Sequence, residues 1–250
     1  MKTVAIEHSN DRQANVFKIE WNLGKRCNFN CSYCNEYTHD NTSPHLPFET
    51  AKLTIDKILA KCSDKIIKVS LTGGEPTVNK DFEKILDYMY QNNIRVGLTT
   101  NGSRKYEYYK RNLHKLDSII FSYHMEYHKR EVIPDNVVKL FNEAKKLDKH
   151  VHIHVHMMML PTQFEEAKSA MDLFKSNGIP VVMRRIRPAY KKESVINVYH
   201  PDGRLKSGEM AMPFYNKPVI LKFTEDGQAD HAAEGYYSEE ELEFLTSNHV

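Results

Sequence analysis

Residues 66–102 read IIKVSLTGGEPTVNKDFEKILDYMYQNNIRVGLTTNG. Ile66 to Leu71 is a short apolar, β-branched run stopped at Gly73-Gly74. Asp81 to Gln91 carries Phe82, Ile85, Leu86 and Met89 at helical spacing. Ile94 to Thr99 is a second apolar run, stopped at Asn101-Gly102. Strand, helix and strand in this order make one βαβ unit with parallel strands.

The same alternation continues on both sides. Toward the N-terminus, Val16 to Trp21 reads as a strand stopped at Gly24, residues 25–47 as a loop, and Phe48 to Cys62 as a helix. Toward the C-terminus, Lys105 to Leu116 is helical, Ser118 to Ser122 extended, Val137 to Leu147 helical, and Val151 to Met159 extended. Phe164 to Ser176 is a helix closed by Asn177-Gly178, and Pro180 to Ile186 is a sixth strand. The pattern predicts an α/β fold, a partial (β/α)6 TIM-like barrel of parallel strands with ligands at the C-terminal strand ends. After Pro188 the runs shorten. Residues 1–188 are expected to form the barrel core, and 189–250 an extension packed on it. Val219 to Phe223 before Glu225-Asp226-Gly227 reads as an arm of a small β-hairpin, and Ser238 with Glu241 as a capping box opening a final helix.

The chain has 250 residues, 40% of them hydrophobic and 27% charged, enough for a packed core. Lys and Arg number 35 against 33 Asp and Glu, so bulk charge draws the chain to neither nucleic acid nor an anionic membrane. No apolar run nears the ~18 residues of a membrane span. Glu7, His8, Ser9 and Asn10 stand where an export signal needs apolar residues, which points to the cytoplasm. All four cysteines fall before residue 63, and three lie within eight residues. That crowding suits ligands in a reducing compartment better than disulfide staples.

Those three are Cys27-Asn28-Phe29-Asn30-Cys31-Ser32-Tyr33-Cys34, spaced C-x3-C-x2-C on the loop after the first strand. Three thiolates on a short loop can wrap one face of a cubane cluster and leave one iron without a protein ligand. A Cys3His zinc site recruiting His39 or His45 is also compatible with the spacing. Cys62 ends a helix and reads as a packing residue.

The triplet has an aromatic, Tyr33, before its last cysteine. The second strand ends in Leu71-Thr72-Gly73-Gly74-Glu75-Pro76, the third in Thr99-Thr100-Asn101-Gly102, and the fourth in Phe121-Ser122-Tyr123-His124. Together, over residues 16–187, these resemble the cysteine loop, GGEP motif, TNG turn and serine-bearing strand end of the radical S-adenosylmethionine (SAM) superfamily. The resemblance implies that Cys27, Cys31 and Cys34 ligate a [4Fe–4S] cluster whose open iron is chelated by SAM. It places Tyr33, Gly73, Gly74, Glu75, Pro76, Asn101 and Ser122 around SAM, with Glu75 an acceptor near its ammonium group. It also implies an external electron donor such as flavodoxin or ferredoxin, and a small-molecule or peptide substrate whose identity is unknown. The absence of cysteine after Cys62 implies a single cluster. A narrower resemblance, to the ring-contracting 7-carboxy-7-deazaguanine synthases, meets a departure: that family usually has an aspartate after the last cysteine, and here the residue is Asn35.

His150, His152, His154 and His156 alternate with Val151, Ile153, Val155 and Met157, so a strand puts all four histidines on one face. With that face turned inward, His154 and His156 become candidates for substrate contact or proton transfer, as does His124 after the fourth strand. Hydrogen-bonded core histidines are the alternative. Near the sixth strand, alternation puts Arg185 and Arg187 on one face and Arg184 on the other. Arg185 is the expected inward guanidinium, facing the SAM carboxylate or an anionic substrate.

Overall fold

The computed structural model describes residues 15–31, 34, 39–127, 132–159, 163–185, 195–196, 208–211, 218–223, 229–230 and 238–248. Six strands, β1 (Val16–Asn22), β2 (Ile66–Thr72), β3 (Arg95–Thr100), β4 (Ser118–His124), β5 (His152–Met159) and β6 (Val181–Arg185), form one sheet in sequence order. The paired neighbours run parallel, with Trp21 opposite Leu71, Leu71 opposite Leu98, Thr100 opposite Phe121, and Met158 opposite Arg184. Five helices fall in the connections: α1 (Phe48–Lys61), α2 (Phe82–Gln91), α3 (Tyr106–Asn112), α4 (Val132–Ala144) and α5 (Phe164–Ser176). The fold is α/β, as the strand–helix alternation predicts.

The burial pattern explains the arrangement. β2 buries Ile67, Val69 and Leu71, β3 buries Val96, Leu98 and Thr100, β4 buries Ile119, Phe121 and Tyr123, and β5 buries Ile153, Val155, Met157 and Met159. A parallel sheet buried on both faces would show continuous apolar runs. Here β2 to β5 each hide one face, and the alternate positions, such as Ser70, Thr99, Ser122 and His156, are less covered and mostly polar. Helix α2 turns Phe82, Ile85, Leu86 and Met89 inward, the four residues whose spacing marks it as amphipathic.

The chain divides into two compact units, Met1–Phe29 with Tyr37–Phe121 and Asp135–His154, and Asn30–Glu36 with Ser122–Pro134 and Val155–Val250. In the first unit, Tyr109 of α3 meets Phe121 of β4 edge to face, ring centres 5.5 Å apart. The start of β4 is pinned by Asp117, which pairs with Arg95 and with Lys149, the latter at 2.6 Å, while its carbonyl accepts the His152 N–H at 2.9 Å. In the second unit, Tyr123 meets Phe174 of α5 in the same way at 5.6 Å.

The second unit also holds β7 (Val195–Ile196), β8 (Gly208–Ala211), β9 (Pro218–Phe223) and β10 (Ala229–Asp230), an antiparallel sheet ordered β10-β9-β8-β7. The expected hairpin arm is β9, and its partners extend the hairpin into a meander. The turn residues Glu225 to Gly227 lie outside the described residues. The last helix, α6 (Glu239–Ser247), opens with the expected capping box: Ser238 N–H donates to Glu241 Oε2 at 2.7 Å, and Glu241 N–H to Ser238 Oγ at 3.1 Å. Its far end is tied to β6, where Met183 N–H donates to Asn248 O at 3.1 Å, and Phe244 packs on Phe164 at 5.1 Å.

Two helices differ from the sequence reading. α4 begins at Val132, not Val137, because Pro134 falls in its first turn, where no intrahelical N–H is needed. α3 stops at Asn112, and Leu113–Lys115 continue as a 3-10 turn.

Ser238→Ala removes one half of the capping box. It is expected to cost about 1 kcal/mol and to lower the thermal midpoint. Amide exchange should rise first in α6 and at Met183.

Candidate functional site

The first unit builds the neck of the cysteine loop. Leu23 N–H donates to Thr72 O at 2.9 Å, prolonging the β1–β2 ladder by one rung. The chain then turns at Gly24, whose φ of +140° favours glycine. Lys25 O accepts Asp40 N–H at 3.0 Å, and Asp40 O accepts Cys27 N–H at 2.7 Å, which cinches the loop between residues 27 and 40. The Asp40 carboxylate caps the returning strand by accepting Thr42 N–H at 3.1 Å and Ser43 N–H at 2.8 Å.

The GGEP turn lies against this neck. Gly74 N–H donates to Gly24 O and Glu75 N–H to Arg26 O, both at 2.9 Å. A Cβ on Gly73 would stand 2.5 Å from Gly24 O, and one on Gly74 would stand 2.2 Å from Lys25 O. The sequence suggests glycines that admit a ligand. In the structure they admit the backbone of the cysteine loop.

Glu75 also differs from its expected role. It is 2% exposed, and both carboxylate oxygens are occupied. Oε1 accepts Thr77 N–H at 3.1 Å, Thr77 Oγ1 at 2.5 Å and Thr100 Oγ1 at 2.7 Å, and Oε2 accepts Asn101 N–H at 2.6 Å. With its proton given to Glu75, the Thr100 hydroxyl accepts from Tyr109 Oη at 3.0 Å. Burial pushes the Glu75 carboxyl upward, and these donors pull against it. The carboxylate joins the ends of β2 and β3, and Pro76 opens the 3-10 turn between them and α2.

That junction positions Asn101, which is itself buried. Its Oδ1 accepts Ser103 N–H at 3.0 Å. Its Nδ2 donates to Asn28 Oδ1 at 3.0 Å and reaches Cys27 Sγ at 3.8 Å. Phe29 N–H reaches the same sulfur at 3.4 Å. His39 Nε2 lies 2.6 Å from Phe29 O, so that nitrogen is a donor. His45 lines a hollow with Pro76 and Asn79.

The second unit holds the other two thiols. Cys34 N–H donates to Cys31 O at 3.1 Å. A hydrogen bond with the Cys31 side chain lowers the Cys34 thiol pKa, against the opposing effects of burial and the Glu126 charge. Cys31 Sγ lies 3.4 Å from His124 Nδ1. Burial lowers His124 to about 4, so its ring is neutral at pH 7. Asn30 N–H donates to Tyr127 Oη at 2.7 Å, and Met125 O accepts Gln163 Nε2 at 3.1 Å. Ser122 shares a strand face with His124.

On β5, His154 and His156 fall on the less covered face, in keeping with the alternation. His156 Nε2 meets Arg184 Nη2 at 3.4 Å. The register pairs His156 with Val182 and Met158 with Arg184, so Arg184 shares the histidine face; the side chain of Arg185 lies outside the described residues. The sequence gives the alternation of these arginines but not its phase relative to β5. Tyr33 lies outside the described residues. Asp40 and Asn28 are not among the site residues read from the sequence, although Asp40 before Thr42-Ser43 carries the signature of an Asx turn.

None of the four cysteines is in a disulfide. Among the described residues, no three His, Cys, Asp or Glu side chains are gathered around one metal position. The donor chemistry nevertheless fits an iron–sulfur group. Three soft thiols sit on one loop, two sulfurs have nitrogen groups beside them, and His39 directs Nε2–H elsewhere.

Residues 21–186, about two thirds of the chain, match the family model described as the Radical SAM superfamily. The chain belongs to this superfamily, whose members work with SAM and an iron–sulfur cluster. The GTP 3′,8-cyclase of Pasteurella multocida is 33% identical over 115 residues, which are 42% of this chain and 33% of that protein. The S-adenosylmethionine-dependent nucleotide dehydratase of Selenomonas ruminantium is 30% identical over 88 residues, 35% of this chain and 31% of that protein. The aligned stretch thus spans about a third of the length of these relatives. Among solved structures, Streptococcus suis SuiB bound to precursor peptide SuiA superposes on 68% of this chain and 39% of its own, with a TM-score of 0.51 at 18% identity. That likeness is one of fold. Among the described residues no helix is long and apolar enough to cross a membrane.

Two substitutions test this construction. Glu75→Gln turns an amide toward four donors and is expected to cost about 3 kcal/mol, read as a lower denaturant midpoint. Gly74→Ala forces a Cβ into the Lys25 and Arg26 carbonyls. It should reduce iron incorporated on reconstitution severalfold while leaving the helical circular dichroism unchanged.

Proposed function

We propose that this chain is a radical SAM enzyme in which Cys27, Cys31 and Cys34 hold one [4Fe–4S] cluster. The observation that supports it most is the family match over residues 21–186 on a chain whose cysteine loop is anchored by the GGEP and TNG strand ends. When bound, the cluster and SAM supply a 5′-deoxyadenosyl radical that takes a hydrogen atom from substrate. The protein's part is placement and exclusion of water. The neck at Lys25 to Cys27 and Asp40 fixes where the loop starts and returns. Glu75 holds the two strand ends that flank it. Ser122 and the carbonyls of the Gly73-Gly74 turn are the SAM contacts on this reading.

The histidine face supports an anionic substrate. Arg184 beside His156 offers a guanidinium and an imidazole to a phosphate or carboxylate. Two of the relatives named above act on nucleotides by name, and a nucleotide-like small molecule is the first class to test, with a peptide second. The electron is supplied by an external carrier such as flavodoxin or ferredoxin, and the enzyme works in the cytoplasm.

The test is anaerobic. After reconstitution with iron and sulfide, reduction with dithionite and addition of SAM, 5′-deoxyadenosine should accumulate, and Cys31→Ala should abolish it. A protein that binds one zinc and no iron would sink the reading. Arg184→Ala should leave slow, substrate-free formation of 5′-deoxyadenosine intact. It should abolish the stimulation given by an anionic substrate.

A further inference from the structure

Two of the three thiols proposed as ligands carry a nitrogen neighbour from a strand end. In the first unit, Asn101 follows β3. Its backbone N–H is fixed by Glu75 Oε2 and its Oδ1 by Ser103 N–H. One Nδ2 hydrogen goes to Asn28 Oδ1 at 3.0 Å. The same nitrogen lies 3.8 Å from Cys27 Sγ, with a second hydrogen to offer. The amide is thereby held on three sides and cannot turn its oxygen to the sulfur without breaking the bonds to Ser103 and Asn28. In the second unit, His124 ends β4 with Nδ1 3.4 Å from Cys31 Sγ. A thiolate has no proton to give, so once Cys31 is a ligand this contact requires hydrogen on Nδ1. The tautomer follows from the chemistry of the sulfur.

We propose that Asn101 and His124 are positioning residues that act through Cys27 and Cys31, each giving an N–H···S bond that raises the reduction potential of the cluster. The inference rests on the cluster reading above. Reduction adds one electron and no proton, and the added charge spreads onto the cysteine sulfurs. Donors aimed at those sulfurs stabilise the reduced form more than the oxidised form, and hydrogen bonds to sulfur are among the factors that set such potentials. His124 thereby acquires a role other than the proton transfer suggested by its place after a strand. It belongs to the environment of a ligand.

The experiment measures the cluster without SAM or substrate. The reconstituted protein is titrated with dithionite under anaerobic conditions, and the reduced fraction is read from its electron paramagnetic resonance signal. Asn101→Asp keeps the shape and the bond from Ser103 N–H but replaces the donor with an acceptor. His124→Leu keeps the volume and removes the donor. His124→Asn restores an amide N–H near the position of Nδ1. At the wild-type midpoint, Asn101→Asp and His124→Leu should each lower the ratio of reduced to oxidised cluster severalfold, with iron content unchanged. His124→Asn should return the ratio toward wild type, which a purely packing role for the ring would not produce. Unchanged midpoints in iron-replete Asn101→Asp and His124→Leu would overturn the inference and leave the cluster reading standing. A wild-type chain that assembles no cluster would overturn both.

Discussion

A carboxylate with almost no solvent contact is the constraint on which this structure turns. Removing Glu75 from water costs several kcal/mol unless the charge is met by donors. Four are present: two from Thr77, one from Thr100 and one from the Asn101 backbone. None of these could move away without leaving a buried charge short of a partner. The ends of β2 and β3 are therefore bound to each other more tightly than sheet hydrogen bonding alone requires. Tyr109 extends the chain through Thr100 into α3. The buried Tyr109 phenol, with its pKa pushed upward by burial and by Glu75, remains protonated and remains a donor.

From that junction the geometry runs outward to the cysteine loop. The loop entrance lies on the GGEP turn because two side chains are missing there, so that carbonyls of residues 24–26 come closer than a Cβ would allow. The backbone N–H groups of Gly74 and Glu75 complete the contact. Asn101, placed by the same carboxylate, reaches Cys27. A motif read from sequence as a ligand contact is, at the level of side chains, the foundation of the loop.

The parts legible in the sequence are those set by local periodicity. Strand and helix order, the amphipathic face of α2, the histidine alternation and the Ser238–Glu241 box all follow from spacing within one element. The cysteine triplet and its companion motifs were legible because residue type and order carry them. What escaped depended on partners distant in the chain. Nothing near Glu75 says that it faces Thr100 and Asn101 and not a ligand. Alternation separates Arg184 from Arg185, but only the register with β5 says that Arg184 shares the face of His156. The helix α4 starts at Val132, five residues before the stretch read from Val137, and Pro134 sits in its first turn, where a proline costs no hydrogen bond.

The division of labour in the sheet has a chemical consequence. Strand β4 spends its apolar residues on the helix side, as Tyr109 with Phe121 and Tyr123 with Phe174 show. The opposite positions are then released from packing and carry Ser122, His124, His156 and Arg184. Burial lowers His124, and a ring held neutral can still donate through one nitrogen. An imidazolium beside Cys31 would also stabilise a thiolate, but its charge would depend on pH across the working range. A neutral donor gives a smaller effect that does not. On the cluster reading, in which Cys31 stays deprotonated while electrons come and go, a constant donor suits the role better than a variable charge.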